Sequence, residues 1–322
     1  MRLSSFPSHS IMANSTILYA CTHTGLAIFN KPGTLPEWLP PRPALQGHEV
    51  TSAWGEPGPP IRVLAAVDGV LQLSENGGRT WEPASLSADA GSSPFMSIFY
   101  VADTHILHAV QYNGRLWKSA DGGATWERLA ALPEEGCVLS LEPAHDSPGD
   151  FYAMLGATDV TSLYKGNPDS GKWAALGDGL RDLDLIAIGQ APSAGFYALT
   201  SAGVMVTTEH DGSTDVDLQA GSPQNGQALV VIPGAASMPP ALVVGTDQGI
   251  AVSPDGGATW HTPELPHTGS VTAFARDPER RDRLYAAIGN GFLVESGNRG
   301  MAWQAVNPQP PGPISYIYVV RI

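Results

Sequence analysis

The chain has 322 residues, of which 43% are hydrophobic and 15% charged, so it has enough apolar material for a large core. Its formal net charge of −14 argues against binding to nucleic acid or to anionic membrane surfaces, because like charges repel. No apolar run approaches the roughly 18 residues of a membrane-spanning helix, so membrane insertion is not expected.

The first 14 residues differ from everything that follows. They predict a disordered extension or a start codon assigned too early, with Met12 as the alternative start. The segment lacks the apolar core of about 7–15 residues that a secretory signal peptide has. Cys21 and Cys137 fall in predicted buried strands of different repeats, which favours two free thiols. Both features predict a cytoplasmic protein.

A turn sequence recurs along the rest of the chain. Its clearest copies are residues 74–81 (SENGGRTW), 119–126 (SADGGATW), 253–260 (SPDGGATW) and 296–303 (SGNRGMAW). Weaker copies start at Asn30, with Trp38 displaced downstream, at Asn167 and at Thr208. The seven starts are 41–48 residues apart. A period in the forties is typical of a four-stranded propeller blade.

Apolar strands surround each copy. Second strands are predicted at residues 18–21, 64–67, 242–245 and 284–287, each followed by a turn that ends in Gly. First strands are predicted at 50–54, 96–100, 138–141, 185–188, 228–232 and 271–274, which is one too few. The missing first strand is supplied by residues 314–320, at the other end of the chain.

The predicted fold is therefore all-β: a seven-bladed β-propeller of four-stranded antiparallel blades, closed by the C-terminal strand. Residues 15–322 are predicted to form this single domain. Closure removes the open sheet edge that would otherwise invite aggregation.

Within each copy, which we call a box, every residue type has a structural interpretation. The Asp or Asn is expected to accept hydrogen bonds from the turn N–H groups, the glycines to allow positive φ, and the Trp to bury its ring between blades. A catalytic residue has no reason to recur around a ring. The residues interpreted in this way are Asn76, Trp81, Asp121, Trp126, Asp169, Trp173, Asp255, Trp260, Asn298 and Trp303.

The box pattern Ser-x-Asp-Gly-Gly-x-Thr-Trp resembles the Asp-box, or BNR, repeat over all seven units. That repeat occurs in sialidases, sortilin-type receptors, xyloglucan-cleaving glycosidases and propeller assembly factors of photosystem II. The resemblance implies the fold and leaves the function open. A sialidase would need a Phe/Tyr-Arg-Ile-Pro motif and three converging arginines. Residues 60–63 (PIRV) carry this order reversed, and Arg181 is the one arginine expected near the ligand face.

Propellers usually bind ligands at the face that carries the hairpins between strands two and three and the links between blades. Asp68, Asp159 and Asp247 fall in such hairpins, and His48, Glu49, Glu135, Arg181 and His267 in such links. This mainly acidic rim predicts a funnel for a cationic peptide, a sugar or a cation. The alternative is a set of loop ends that are polar only because they meet water.

The remaining motifs favour binding over catalysis. The sequence has no Cys/His cluster with zinc spacing, no phosphate-binding loop and no Gly-x-Ser-x-Gly elbow, so no metal or cofactor is predicted. The predicted function is a non-enzymatic binding or assembly scaffold that docks a protein or peptide. The open alternative is a glycoside hydrolase or lyase that uses funnel carboxylates, with carbohydrate as its ligand.

Overall fold

The computed structural model describes residues 14–58, 61–86, 91–101, 104–130, 132–133, 137–144, 147–157, 160–176, 184–190, 196–210, 213–234, 238–289, 291–310 and 312–322. These residues form 28 strands in seven sheets around an axis. Within them there is no helix long and apolar enough to cross a membrane. The prediction of a seven-bladed all-β propeller is confirmed. Three predicted site residues lie outside the described residues: Glu135, Asp159 and Arg181. The same holds for residues 1–13 of the predicted extension.

The strands of the first three blades follow the predicted order. Blade 1 consists of β28 (Ile314–Arg321), β1 (Thr16–Thr22), β2 (Gly25–Lys31) and β3 (Arg42–Ala44). Blade 2 consists of β4 (Val50–Gly55), β5 (Val63–Val67), β6 (Val70–Ser74) and β7 (Glu82–Pro83). Blade 3 consists of β9 (Phe95–Val101), β10 (Ile106–Gln111), β11 (Leu116–Ser119) and β12 (Thr125–Arg128), with β8 (Ser85–Leu86) added parallel to β12.

The other four blades complete the ring. Blade 4 consists of β13 (Cys137–Pro143), β14 (Phe151–Ala157), β15 (Val160–Asn167) and β16 (Lys172–Ala175). Blade 5 consists of β17 (Leu185–Gln190), β18 (Phe196–Thr200), β19 (Gly203–His210) and β20 (Ser213–Leu218). Blade 6 consists of β21 (Gly226–Ile232), β22 (Ala241–Thr246) and β23 (Ile250–Ser253). Blade 7 consists of β24 (Val271–Arg276), β25 (Leu284–Ile288), β26 (Phe292–Ser296) and β27 (Gln304–Ala305).

Blade 6 departs from the predicted four strands. Its fourth strand is reduced to one bridge between Val252 and His261. Pro263 and Pro266 follow at once, and a proline has no N–H to donate to a ladder.

The core lies between the blades rather than at the centre of the molecule. The buried apolar residues form seven clusters, and each cluster joins two adjacent blades. Both faces of a second strand are therefore covered, which explains why β5, β18 and β25 are buried throughout and read as continuous apolar runs. The displaced Trp38 lies between Phe29 of blade 1 and Tyr285 of blade 7, with ring centroids 6.2 and 5.8 Å away.

The C-terminal strand closes the ring as predicted. β28 pairs antiparallel with β1, with Leu18 opposite Val319 and Cys21 opposite Tyr316. Ser15 and Ile322 exchange both backbone hydrogen bonds, at 2.9 and 3.0 Å. Cys21 is a buried free thiol.

The box turns share one hydrogen-bond pattern. In blade 3 the Ser119 hydroxyl donates to Asp121 and accepts from the Gly123 N–H, and Asp121 accepts from both the N–H and the hydroxyl of Thr125. The Trp126 ring N–H donates to the Gly123 carbonyl at 3.0 Å. Asp255 makes the same bonds with Thr259, and the Trp81, Trp260 and Trp303 ring N–H groups donate to the equivalent glycine carbonyls. The Asn76 and Asn298 side-chain oxygens accept the N–H of Thr80 and Ala302, but the Asn76 amide donates to the Thr80 hydroxyl, and Ala302 has no hydroxyl.

Blade 4 departs from this pattern because its box is one residue shorter. Asn167 takes over the capping role and accepts the Ser170 N–H at 3.0 Å. The Asp169 carboxylate instead receives Lys118 of blade 3 at 2.6 Å, and this bond raises the pKa of Lys118. Trp173 is half-buried. The interpretation of Asp169 as the turn acceptor is thus wrong for this blade.

The closing strand is also tied to blade 7 by a buried ion pair. Arg321 at the end of β28 lies 3.6 Å from the Asp277 carboxylate, and the side chain of Asp277 is 0% exposed. We expect Arg321→Met to lower the free energy of unfolding by about 3 kcal/mol, because Asp277 keeps its buried charge without the partner. Chemical denaturation measures this. The control is Arg280→Met, which changes an exposed arginine on the loop that carries Asp277. Equal losses of unfolding free energy in the two variants would contradict the role of the ion pair.

A second prediction concerns the box of blade 3. Trp126 is 5% exposed, so Trp126→Ala should cost about 3–5 kcal/mol through the cavity it leaves. Asp121→Ala should cost about 1–3 kcal/mol, because the turn donors lose their acceptor. Glu127→Ala removes only an exposed salt bridge, worth about 0–1 kcal/mol, and serves as the control in the same unfolding series. Variants of Trp126 and Asp121 that unfold like the control would exclude a structural box.

Candidate functional site

One face of the propeller, which we call the loop face, carries the hairpins between second and third strands and the links between blades. Backbone hydrogen bonds join the two sets: Asp68 N–H to the Glu49 carbonyl in blade 2, and Tyr112 N–H to the Pro94 carbonyl in blade 3. The opposite face, the box face, carries the box turns. Every predicted site residue that the structure describes lies on the loop face.

Four side chains meet at the junction of blades 1 and 2, and we call them the His/acid cluster: His23, His48, Glu49 and Asp68. His48 Nδ1 lies 2.6 Å from Asp68 Oδ2, and His23 Nδ1 lies 2.7 Å from Glu49 Oε1. The Glu49 N–H donates to Asp68 Oδ1 at 2.9 Å, which links the two pairs. All four side chains are more than half exposed.

The backbone explains how Asp68 reaches this position. Asp68 and Gly69 form the two-residue hairpin between β5 and β6, and both have positive φ, at 49° and 79°. This is the hairpin geometry that an Asp-Gly pair favours. It turns the carboxylate back over the link before β4. The hydrogen bond from His48, and then that from the Glu49 N–H, lower the pKa of Asp68.

A surface cleft adjoins the His/acid cluster on blade 1. Its volume is about 510 Å³, and Thr22 and Thr24, which flank His23, contribute to its wall. Leu26, Pro41 and Pro43 supply an apolar part of the lining. The volume lies within the range of about 300–1,000 Å³ that is usual for ligand pockets.

The loop face also exposes apolar side chains. Nine large apolar residues are exposed in the described part of the chain, and six of them lie on this face. The six are Val70, Met96, Tyr112, Leu139, Leu218 and Phe292. Leu35, Met238 and Met301 lie on the box face.

The other predicted site residues in the described part stand apart from the cluster. Asp247 lies in the hairpin between β22 and β23 of blade 6, and it is exposed. The His267 ring stacks on Phe292 of blade 7, with centroids 3.8 Å apart and planes at 11°. The sequence therefore placed His48, Glu49 and Asp68 on one face, and the structure brings these three together with His23.

The axial channel contains a charged group that sequence reasoning missed. Burial raises the pKa of Glu142 in β13 to about 7, and Arg276 in β24 opposes this shift. Burial, and to a smaller extent the nearby Glu142 carboxylate, raise the pKa of Tyr316 in β28. Blades 7 and 1 stand across the ring from blade 4, so Glu142 is coupled to Arg276 and Tyr316 across the axial channel. The Arg276 guanidinium donates to the Val231 carbonyl at 3.2 Å.

Comparison of the sequence with protein-family models and with curated proteins finds no match. Comparison of the fold with solved structures finds similar propellers. YCF48 from Cyanidioschyzon merolae is 17% identical with a TM-score of 0.56, covering 80% of this chain and 85% of that one. YCF48 bound to D1 peptide is 20% identical with a TM-score of 0.50, covering 76% of each chain.

The GH74 enzyme of Niastella koreensis is 15% identical with a TM-score of 0.47. The match covers 95% of this chain and 59% of the enzyme. At identities this low, the two YCF48 similarities establish the class of protein as a β-propeller and leave its activity open.

The lumen carboxyl gives a pH prediction. The folded-state pKa of Glu142, about 7, lies above its ordinary value of 4.5, so the folded state holds this proton more tightly than the unfolded chain. Its contribution to the free energy of unfolding therefore falls as pH rises from about 4.5 through 7. At pH 8 we expect the free energy of unfolding of Glu142→Gln to exceed that of wild type by about 1–2 kcal/mol after solvent screening, so the variant should melt at a higher temperature. This difference should shrink by pH 5.

Thermal melts across this pH range measure the effect. Glu37→Gln, at an exposed carboxylate on the box face, is the matched control and should follow wild type at every pH. A gap between Glu142→Gln and wild type that is the same at pH 5 and pH 8 would contradict the prediction.

Proposed function

We propose that the protein is a non-enzymatic docking propeller, which holds a protein or peptide partner on its loop face. One observation carries the proposal: paired exposed charges share this face with six of the nine large apolar side chains that are exposed in the described part of the chain. Exposed apolar residues rimmed by polar groups mark protein interaction sites. Loops held by a rigid scaffold are also where binding residues concentrate.

Two further observations support this proposal. One structural neighbour, YCF48, is described with a bound D1 peptide, so a propeller with this arrangement of blades holds a peptide in that protein. The recurring box hydrogen bonds support assignment of the chain to the Asp-box repeat propellers. Under this proposal the partner carries basic residues, because the net charge is −14 and the His/acid cluster presents two carboxylates.

The glycosidase alternative has weaker support from the geometry. Such an enzyme needs two carboxyls about 5–10 Å apart, and one of them must stay protonated to act as the acid. In the cluster, hydrogen bonds lower the pKa of Asp68, which makes it a poor acid. Glu142 has the raised pKa of an acid, but it lies in the axial channel, apart from the exposed cluster. Carbohydrate therefore stays a second class of ligand in the proposal, and the cytoplasmic location stays a prediction.

The proposal is tested by selecting ligands from a random peptide display library. We expect the purified protein to enrich peptides that contain Lys or Arg. The double variant Glu49→Gln with Asp68→Asn should weaken their binding by about tenfold and flatten its salt dependence, because exposed charges are screened within about 10 Å at 0.1 M salt.

The matched control removes the same charge from the box face with Glu37→Gln and Glu75→Gln. This variant should bind like wild type. Equal losses in both double variants would place binding elsewhere. The proposal would give way to the glycosidase alternative if the protein hydrolysed a chromogenic glycoside or sialoside and Glu142→Gln abolished that activity.

A further inference from the structure

The innermost strand of every blade carries a β-bulge at the equivalent residue. In each blade the ladder between the first and second strands skips one residue near the loop-face end. These seven residues form what we call the bulge ring: Thr51, Met96, Leu139, Ile186, Gln227, Thr272 and Ser315. A bulge redirects a side chain, and bulges are common at the rims of barrels and beside binding sites. Here they surround the mouth of the axial channel.

The bulge ring is divided into an apolar arc and a polar arc. Blades 3, 4 and 5, which are consecutive, contribute Met96, Leu139 and Ile186. Blades 6, 7, 1 and 2 contribute Gln227, Thr272, Ser315 and Thr51. Met96 is 37% exposed and Leu139 is 50% exposed, whereas Ile186 is partly buried against the cluster between blades 5 and 6. The backbone geometry is the same in all blades, so the bulge itself does not require apolar residues in three neighbours.

The position after the bulge differs in one blade. The residue after the bulge is small in six blades, where it is Ser52, Ser97, Ser140, Ala187, Ala228 and Ala273. In blade 1 it is Tyr316, whose ring packs against the cluster between blades 1 and 2. We call the space bounded by the bulge ring and Tyr316 the socket.

The charged groups of the loop face lie on the polar side of this socket. The His/acid cluster sits on blades 1 and 2, next to Ser315 and Thr51. Tyr112, which is 58% exposed, lies in the blade 3 hairpin, and its N–H donates to the Pro94 carbonyl, two residues before Met96. Polarity therefore runs across the mouth, from carboxylates on one side to aliphatic side chains on the other.

Resting on the proposed function, we propose that this socket selects a partner peptide in which one bulky aliphatic residue lies near a Lys or Arg. The aliphatic side chain packs against Met96 and Leu139. The basic side chain reaches Glu49 and Asp68. Apolar burial supplies a central anchor and the exposed charges set orientation, which is the usual division of roles in a protein interface.

The test uses the same random peptide display library on three variants. Met96→Ser with Leu139→Ser should lose the enrichment of Leu, Ile, Met or Phe while keeping that of Lys and Arg. Glu49→Gln with Asp68→Asn should show the reverse. Gln227→Ser with Thr272→Ser, on the polar arc, is the matched control and should enrich the wild-type peptides. Thermal melts check that each variant is folded, which we expect because Met96 and Leu139 are exposed.

Binding of one wild-type-selected peptide then gives the magnitude. Each of the first two variants should weaken it by about tenfold or more, and the control by less than about threefold. If the cluster variant loses binding while Met96→Ser with Leu139→Ser keeps both affinity and the aliphatic preference, the socket is overturned and the docking function stands. If no protein enriches any peptide, the docking function itself fails.

Discussion

The structure depends on one antiparallel pairing between strands that lie about 300 residues apart, β1 and β28. Loop-closure entropy grows only with the logarithm of length, so closing the whole ring costs little more than closing half of it. The pairing brings Phe29, Trp38 and Tyr285 into the cluster between blades 1 and 7. It also directs the loop-face ends of all seven innermost strands toward one axis. Without it, blade 1 would lack its first strand and the bulge ring would lose Ser315.

The blades and their closure could be predicted because the box is a local device. The hydrogen bonds of the box all lie within eight residues, so the spacing of these residues alone identifies the turn. In blade 3 they join Ser119, Asp121, Gly123, Thr125 and Trp126. The pattern fails where a residue is missing, as at Asp169 in the shorter box of blade 4. It also fails where a proline interrupts the ladder, as at Pro263 in blade 6.

The site was harder to predict, because side-chain pairing depends on more than register. The sequence placed His48, Glu49 and Asp68 on one face, but their contacts require the positive φ of Asp68, which turns its carboxylate toward the link. His267 was placed on the same face, yet its stacking on Phe292 has no signal in the sequence. The bulges have no single-residue signature. Their trace in the sequence is the small residue that follows each bulge in six blades, from Ser52 to Ala273.

The repeat supplies an internal comparison that separates structure from function. Features that recur in most blades, such as the box glycine and tryptophan, meet needs common to every blade. On the box face, three carboxylates pair with turn donors or with cations: Asp255 with Thr259, Asp169 with Lys118, and Glu295 with Lys31. On the loop face, Glu49 and Asp68 meet imidazoles instead, and they do so in one pair of blades only among those described. A ligand that binds in one orientation requires equivalent positions that differ in charge and polarity from blade to blade. This asymmetry distinguishes the loop face from the repeated features of the blades.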